Sequence, residues 1–283
     1  MNSLDATDNY LNLLLSLPHI ESITVFSVFF LTLARILPIM SLAPFLGSKN
    51  LPMMLRMMFS ISLVAIFLPQ NLLHLKGNIP YGTFFMGHFL KELLLGAILA
   101  IFASAPFFIA QMSGSLIDHS RGSSSLQVSD PTTQSQTGSI GVLYNYVLIV
   151  VFYLLDGPAQ FFDALANSYL LIPVDGGVNP QFFNQHLTFW KQVFNLMSFM
   201  FTIAIQLAAP ALIGLLLTDL FLGIANRLAP QVQIVFLGMS LKSWIGIALM
   251  TAAWALIIQV MGKDAIAMIK LMNQMIHQAG AYR

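Results

Sequence analysis

Six histidines, eleven acidic residues and no cysteine bound the chemistry open to this 283-residue chain. His19, His74, His88, His119, His186 and His277 never fall at a ligand spacing such as HxxxH, so they read as helix ends and loops rather than a metal site. The lack of cysteine removes disulfides, thiolate catalysis and Cys-based metal sites. No GxSxG, Walker loop or GxGxxG is present. Asp156 and Asp163 stand seven apart, near one helix face, and come closest to a carboxylate pair. Acid–base work needs a companion acid, base or ligand set, and none is in view, so a polar helix edge is the simpler reading. No catalytic, cofactor-binding or metal-binding residue is assigned, and no enzyme is expected.

Charges next to long apolar runs are a different matter. Lys91-Glu92 precedes one run and Asp219 sits between two. An ionised group at membrane depth is costly and faces protein or water. Lys91-Glu92 reads as a helix end, whereas for Asp219 a functional site and a structural pair stay equally open. Met53/Met57 and Met54/Met58 form two i,i+4 pairs, either an adaptable packing face or a seal around a variable object. Gly96, Ala100 and Ser104 make a small-xxx-small row that lets two helices approach closely.

The elements that must position these residues follow from composition. Hydrophobic residues are 57% of the chain and charged ones 8%, against roughly 25% charged in an ordinary soluble domain. Twelve basic and eleven acidic side chains cannot cover a globule of this size, so the apolar surplus faces lipid or other chains. A net charge of +1 implies no nucleic-acid partner. The acids Asp5, Asp8 and Glu21 before the first apolar run do not suit a cleavable signal peptide.

Charge-free runs lie between Arg56 and Lys76, Glu92 and Asp118, Asp130 and Asp156, Lys191 and Asp219, and Lys242 and Lys263. Together with Ile23 to Leu46, interrupted by Arg35, they predict about six helical segments, each near the ~20 residues a span requires. Pro106 and Pro210 are expected to break two of them. Scattered single cations give no positive-inside asymmetry, so topology is open. Ser113 to Ser139, rich in Ser, Thr, Gln and Gly, predicts an irregular loop, and Pro173 to Gln185 a turn-rich connection. From Lys263 onward, Ile266, Ile269, Met272, Met275 and Ile276 predict an amphipathic helix for a partner or membrane surface.

The order of short motifs is more specific than any one of them. Arg35, Pro38, Pro44-Phe45-Leu46-Gly47, Leu51-Pro52 and Arg56 resemble the opening motif of the SctT/FliR family of the type III secretion export gate. Glu92 with Gly96 is similar to the family's next helix start. Gly114 to Asp118, Arg121-Gly122 and Asp130-Pro131 resemble its central loop, and Ser168-Tyr169 with Pro173 the following helix end. Pro210, Asp219, Gly223, Arg227, Pro230-Gln231 and Lys242-Ser243 resemble the C-terminal signature. Asp156-Gly157 stands where the family carries a Gly pair. The Asp118…Arg121-Gly122 version resembles the virulence (injectisome) branch more than the flagellar one.

The resemblance implies an all-α, polytopic fold of hydrophobic helical hairpins packed in a hetero-oligomeric export gate. Residues 1–283 would form one helical domain, with 113–139 as a plug-like central loop and 263–283 as the amphipathic tail. It implies a pore-forming subunit of the bacterial inner membrane, set towards the periplasmic side in the gate, that conducts unfolded substrates and plugs the closed channel. Implied partners are SctR/FliP-like and SctS/FliQ-like subunits, then SctU/FlhB-like and SctV/FlhA-like components, with no cofactor. The plug would centre on Gly114, Asp118, Arg121, Gly122, Asp130 and Pro131. Gate or assembly roles would fall to Arg35, Pro44, Glu92, Asp219, Arg227 and Lys242. The competing reading is a secondary transporter or channel for a small solute, because prolines near midspan can build a transport site. Against it stand the lack of an inverted repeat and of an acidic cluster for ion coupling.

Overall fold

The computed structural model describes residues 22–47, 51–75, 77, 79, 82–122, 138–176, 188–228 and 234–281. Among them every regular element is helical: α1 Ser22–Leu42, a 3-10 turn Pro44–Leu46, α2 Met53–Leu73, α3 Thr83–Ser120, α4 Ser139–Leu154, α5 Gly157–Leu171, α6 Thr188–Leu228, α7 Ile234–Ala252 and α8 Trp254–Ala281. Four helices contain stretches long and apolar enough to cross a membrane, Ile23–Leu42, Met53–Leu73, Phe85–Ser120 and Val193–Leu228. Two bent pairs, Ser139–Leu154 with Gly157–Leu171 and Gly238–Ala252 with Trp254–Gln278, raise the count to as many as six. The chain is an all-helical polytopic membrane protein.

The chain divides into two compact units. One holds Met1–Ile101, Phe162–Asn184 and Asn273–Arg283, the other Phe102–Phe161 and Gln185–Met272. In the first, α1 buries Val28, Leu31, Ile36 and Ile39 and packs on α2, where the Asn71 amide donates to Thr32 Oγ1 at 2.9 Å. Pro44 starts the 3-10 turn after α1 with its φ already set. Gly47, at φ 79°, closes that turn by donating to the Pro44 carbonyl. In the second unit, α6 packs on α7, and Phe107 meets Phe152 edge-on at 5.4 Å between centroids.

Pro106 and Pro210 do not break their helices as expected. Pro106 lies inside α3 and Pro210 inside α6, both continuous. A proline removes one hydrogen bond and leaves the rest of a long ladder to hold. The breaks fall elsewhere. The α7–α8 pair bends by 63° next to Ala253, while the bonds from Ala253 to Leu249 and from Ile257 to Ala253 span the bend. Between α4 and α5, Asp156 takes φ 53°, the left-handed region that glycine occupies without strain. Asp156→Gly is therefore expected to raise the thermal midpoint in detergent, by up to about 1 kcal/mol of stability. Asp156→Val is expected to lower it by roughly 1–2 kcal/mol.

Two sequence expectations are revised here. Ser113–Ser120, expected to open an irregular loop, instead completes α3. Ser113, Ile117 and Asp118 are buried, so tertiary packing outweighs the poor helix propensity of Ser and Gly. Residues 123–137, with Asp130 and Pro131, lie outside the described residues, as does the Pro173 to Gln185 connection beyond Gly176. The C-terminal helix begins at Trp254, and Ile269, Met272, Met275 and Ile276 are buried by this same chain. The apolar face expected to seek a partner is already covered.

Candidate functional site

Two junctions, one in each unit, gather most of the residues singled out above. In each, a glycine lets two backbones meet and an acid one helical turn away profits from the contact.

In the first unit that glycine is Gly96, on the same face of α3 as Glu92. A Cβ on Gly96 would collide with the Arg35 carbonyl oxygen and lie 2.8 Å from the Arg35 Cα. The close approach of α1 to α3 brings Arg35 onto Glu92, both fully buried at 0% exposure. The guanidinium donates from Nε to Oε2 at 2.5 Å and from Nη2 to Oε1 at 2.9 Å, the forked geometry that suits a carboxylate. Arg35 also donates to Ser168 Oγ at 3.0 Å and to the Ile172 carbonyl at 2.8 Å, and its charge lies 4.2 Å from the Tyr169 ring centroid. Tyr169 in turn donates to the Thr32 carbonyl at 3.2 Å.

Lys91 completes this junction. It reads from sequence as a helix end, yet it lies inside α3 and is buried. Its ammonium pairs with Glu92 Oε1 at 2.9 Å and donates to the carbonyls of Pro173 at 2.9 Å, Val174 at 3.2 Å and Gly176 at 2.9 Å. Two cations, both seated on Glu92, thus satisfy the carbonyls that follow the C-terminus of α5, where orphan acceptors and the negative helix end favour positive charge. Lys91, Ser168 and the 172–176 backbone were not legible as one group, because they are brought together from 82 to 137 residues apart.

In the second unit Gly114 lies one turn before Asp118 on α3. A Cβ there would lie 2.5 Å from the Gly141 Cα of α4. Asp118 consequently reaches the first turn of α4, accepting from the Ile140 N–H at 2.8 Å and the Gly141 N–H at 3.4 Å. Its other oxygen pairs with Arg121, three residues on. One carboxylate thus joins the end of α3 to the start of α4, at the helix N-terminus where a negative charge is favoured. Arg121 is buried, and a Cβ on Gly246 of α7 would lie 2.7 Å from its Cδ, so a side chain there would obstruct it. Gly122, at φ 76°, ends the helix in the left-handed conformation glycine allows.

The remaining candidates fall as follows. Asp219 on α6 and Lys242 on α7 form an ion pair, Asp219 48% exposed and Lys242 22%. Pro44 is buried in its 3-10 turn, and Arg227 is exposed in the last turn of α6. Asp130 and Pro131 lie outside the described residues. Among the described residues, no three His, Asp or Glu side chains converge into a group able to hold a metal ion.

Comparison with known proteins agrees with these motifs. Residues 26–267 match the family described as bacterial export proteins, family 1. The chain is 27% identical over 233 residues to the surface presentation of antigens protein SpaR of Shigella flexneri, covering 81% of this chain and 84% of SpaR. It is 30% identical over 222 residues to the flagellar biosynthetic protein FliR of Bacillus subtilis, covering 78% and 83%. With the Yop proteins translocation protein T of Yersinia pestis it shares 32% identity over 154 residues, 54% of this chain and 57% of the relative. The buried Arg35–Glu92 and Asp118–Arg121 pairs occupy the motifs that carried the resemblance, and the chain belongs to the bacterial export proteins, family 1: the SctT/FliR family of export-apparatus components.

Proposed function

We propose that this chain is a structural, pore-forming subunit of a type III secretion export gate, without catalysis of its own. It sits in the bacterial inner membrane beside SctR/FliP-like and SctS/FliQ-like subunits and next to SctU/FlhB-like and SctV/FlhA-like components. It conducts unfolded protein substrates and helps to plug the closed channel, in a system of the virulence rather than the flagellar kind. The gate carries it towards the periplasmic side.

The observation that carries this reading is the uncovered apolar surface of α2 and α6. In the apolar 18-residue stretch of each helix, only 28% is buried within the chain for Met53–Leu73 and 33% for Val193–Leu228, against 56% and 61% for those in α1 and α3. Met53, Met54, Met57 and Met58 are all exposed, as are Phe194, Phe201 and Phe221. The half-exposed Asp219, paired with Lys242, lies among Leu216, Leu217 and Leu220, all exposed, and an ion pair there is costly against lipid. Sister helices with polar partners would cover such faces at lower cost than lipid. The transporter reading loses its main support, because α3 and α6 run unbroken through Pro106 and Pro210.

Coexpression with the sister subunits, mild extraction and native mass spectrometry test the assembly. A hetero-oligomer containing this chain is expected, and a monomer indifferent to the sisters would return the transporter reading to first place. The plug role is tested separately. Deletion of Ser123–Gln127 is expected to leave assembly intact and make the closed complex conduct small ions. Unchanged conductance would remove the plug role and leave the subunit role standing.

A further inference from the structure

We infer that the carbonyl oxygens of Pro173, Val174 and Gly176, with Glu92 Oε1, form a cage for a monovalent cation, and that Lys91 supplies its resident as a tethered ammonium. The four oxygens surround one nitrogen at 2.9, 3.2, 2.9 and 2.9 Å. An ammonium has three N–H donors, so four acceptors at these distances treat it as a compact charge surrounded by oxygens rather than as three directed bonds. Backbone carbonyls are the ligands that replace the hydration shell of a potassium-sized ion, and one carboxylate adds the opposing charge.

The surroundings keep this cage formed. Glu92 is fully buried and fixed from its other side by Arg35, which also grips the Ile172 carbonyl. The His88 ring lies 3.1 Å from the Asp175 carbonyl oxygen, inside the same loop. Glu92, the Ile172 and Asp175 carbonyls and, through the Gly176 N–H at 3.1 Å, the Pro173 carbonyl are thus held by contacts that do not involve Lys91. Without a cation the Val174 and Gly176 carbonyls would lose the ammonium and Glu92 one of its two countercharges, while the Pro173 carbonyl keeps the Gly176 N–H at 3.1 Å, so a positive occupant is favoured. Tethering that occupant to α3 makes the placement of 172–176 independent of the ions on either side of the membrane.

The test uses the full chain in mild detergent. Lys91→Ala empties the cage and keeps its oxygens. Its thermal midpoint is measured against ammonium chloride, potassium chloride and choline chloride at equal ionic strength. The expected result is a lowered midpoint that rises with the logarithm of ammonium or potassium concentration, each tenfold excess beyond half-occupancy adding a constant increment. Choline is too large to enter and gives no such rise. Wild type, its cage already filled, shows the same small response to all three salts.

Lys91→Met fills the space with an apolar chain and is expected to melt low without a cation response. If Lys91→Ala does not accumulate, Lys91→Ser, which contributes one more oxygen, is prepared and measured in the same way. A rise shared equally by choline overturns the inference, as does the absence of any rise. Failure of both small variants to accumulate with ammonium present throughout extraction overturns it too. None of these outcomes depends on whether the subunit forms a pore.

Discussion

Glu92→Gln is expected to produce the largest loss of stability of any single substitution in the first unit, about 3–5 kcal/mol, read as a collapse of the thermal midpoint in detergent. The neutral amide nearly preserves shape and volume, so the loss is electrostatic. It leaves Arg35 and Lys91, both buried, without their shared anion. Breaking one side of a buried pair costs more than removing the pair, because the surviving charge remains desolvated. Arg35→Met combined with Glu92→Gln is therefore expected to be less damaging than the sum of the two single changes. A double-mutant cycle that is additive within about 0.5 kcal/mol would show that the two residues do not act as a unit. The same cycle carried out on Arg35 and Ser168, neutral and hydrogen-bonded at 3.0 Å, should give a much smaller coupling.

Asp118→Ala is expected to cost about 3 kcal/mol, and the companion Asp118→Asn separates its two causes. Alanine removes both the partner of buried Arg121 and the acceptor for the first turn of α4. Loss of a helix cap alone costs about 1 kcal/mol, and the stranded arginine accounts for the remainder. Asparagine is as good a cap as aspartate but cannot pair with a guanidinium as an anion. Hydrogen exchange at the Ile140 amide reads the difference. Protection should survive in Asp118→Asn and be lost in Asp118→Ala, while both variants melt below wild type. Equal protection of Ile140 in both would show that Asp118 does not hold the start of α4.

Both junctions place a buried charge where the helix-packing motif allows the closest backbone contact. Gly96 meets the Arg35 backbone and Gly114 meets Gly141. In each case the acid sits one turn from the glycine, so backbone proximity and charge pairing depend on each other. A larger residue at Gly96 would push α1 off α3 and separate Arg35 from Glu92, although neither charged residue had changed. Effects at these glycines are thus expected to be strongly coupled to those at the acids, beyond what each does alone.

The sequence by itself determined the class of molecule. A chain with so few charges cannot cover itself in water, and its charge-free runs are the length a bilayer asks for, so all-helical spans follow from composition and spacing. It also determined the family, through an ordered series of short motifs from Arg35 to Lys242, and it marked Gly96 and Ala100 as a surface for close packing. Local signals were weaker guides to helix limits. Ser113 to Ser120 is polar enough to suggest a loop, yet burial of Ile117 and Asp118 keeps it helical. Pro106 and Pro210 suggest breaks that long ladders absorb, while the bends come at Asp156, two residues before Pro158, and at Ala253.

Only the tertiary structure decided which charges belong together. Arg35 and Glu92 are 57 residues apart, and Lys91 and the carbonyls it holds are more than 80 apart. Sequence spacing reports neighbours along one helix, at three and four residues, and is silent on which face meets another helix. Lys91 therefore reads from sequence as a helix end, whereas the chain after α5 brings the carbonyls of Pro173, Val174 and Gly176 over it. The charge of a residue is written in its type, but its price in free energy depends on whether water or another helix surrounds it, and that is set by packing alone.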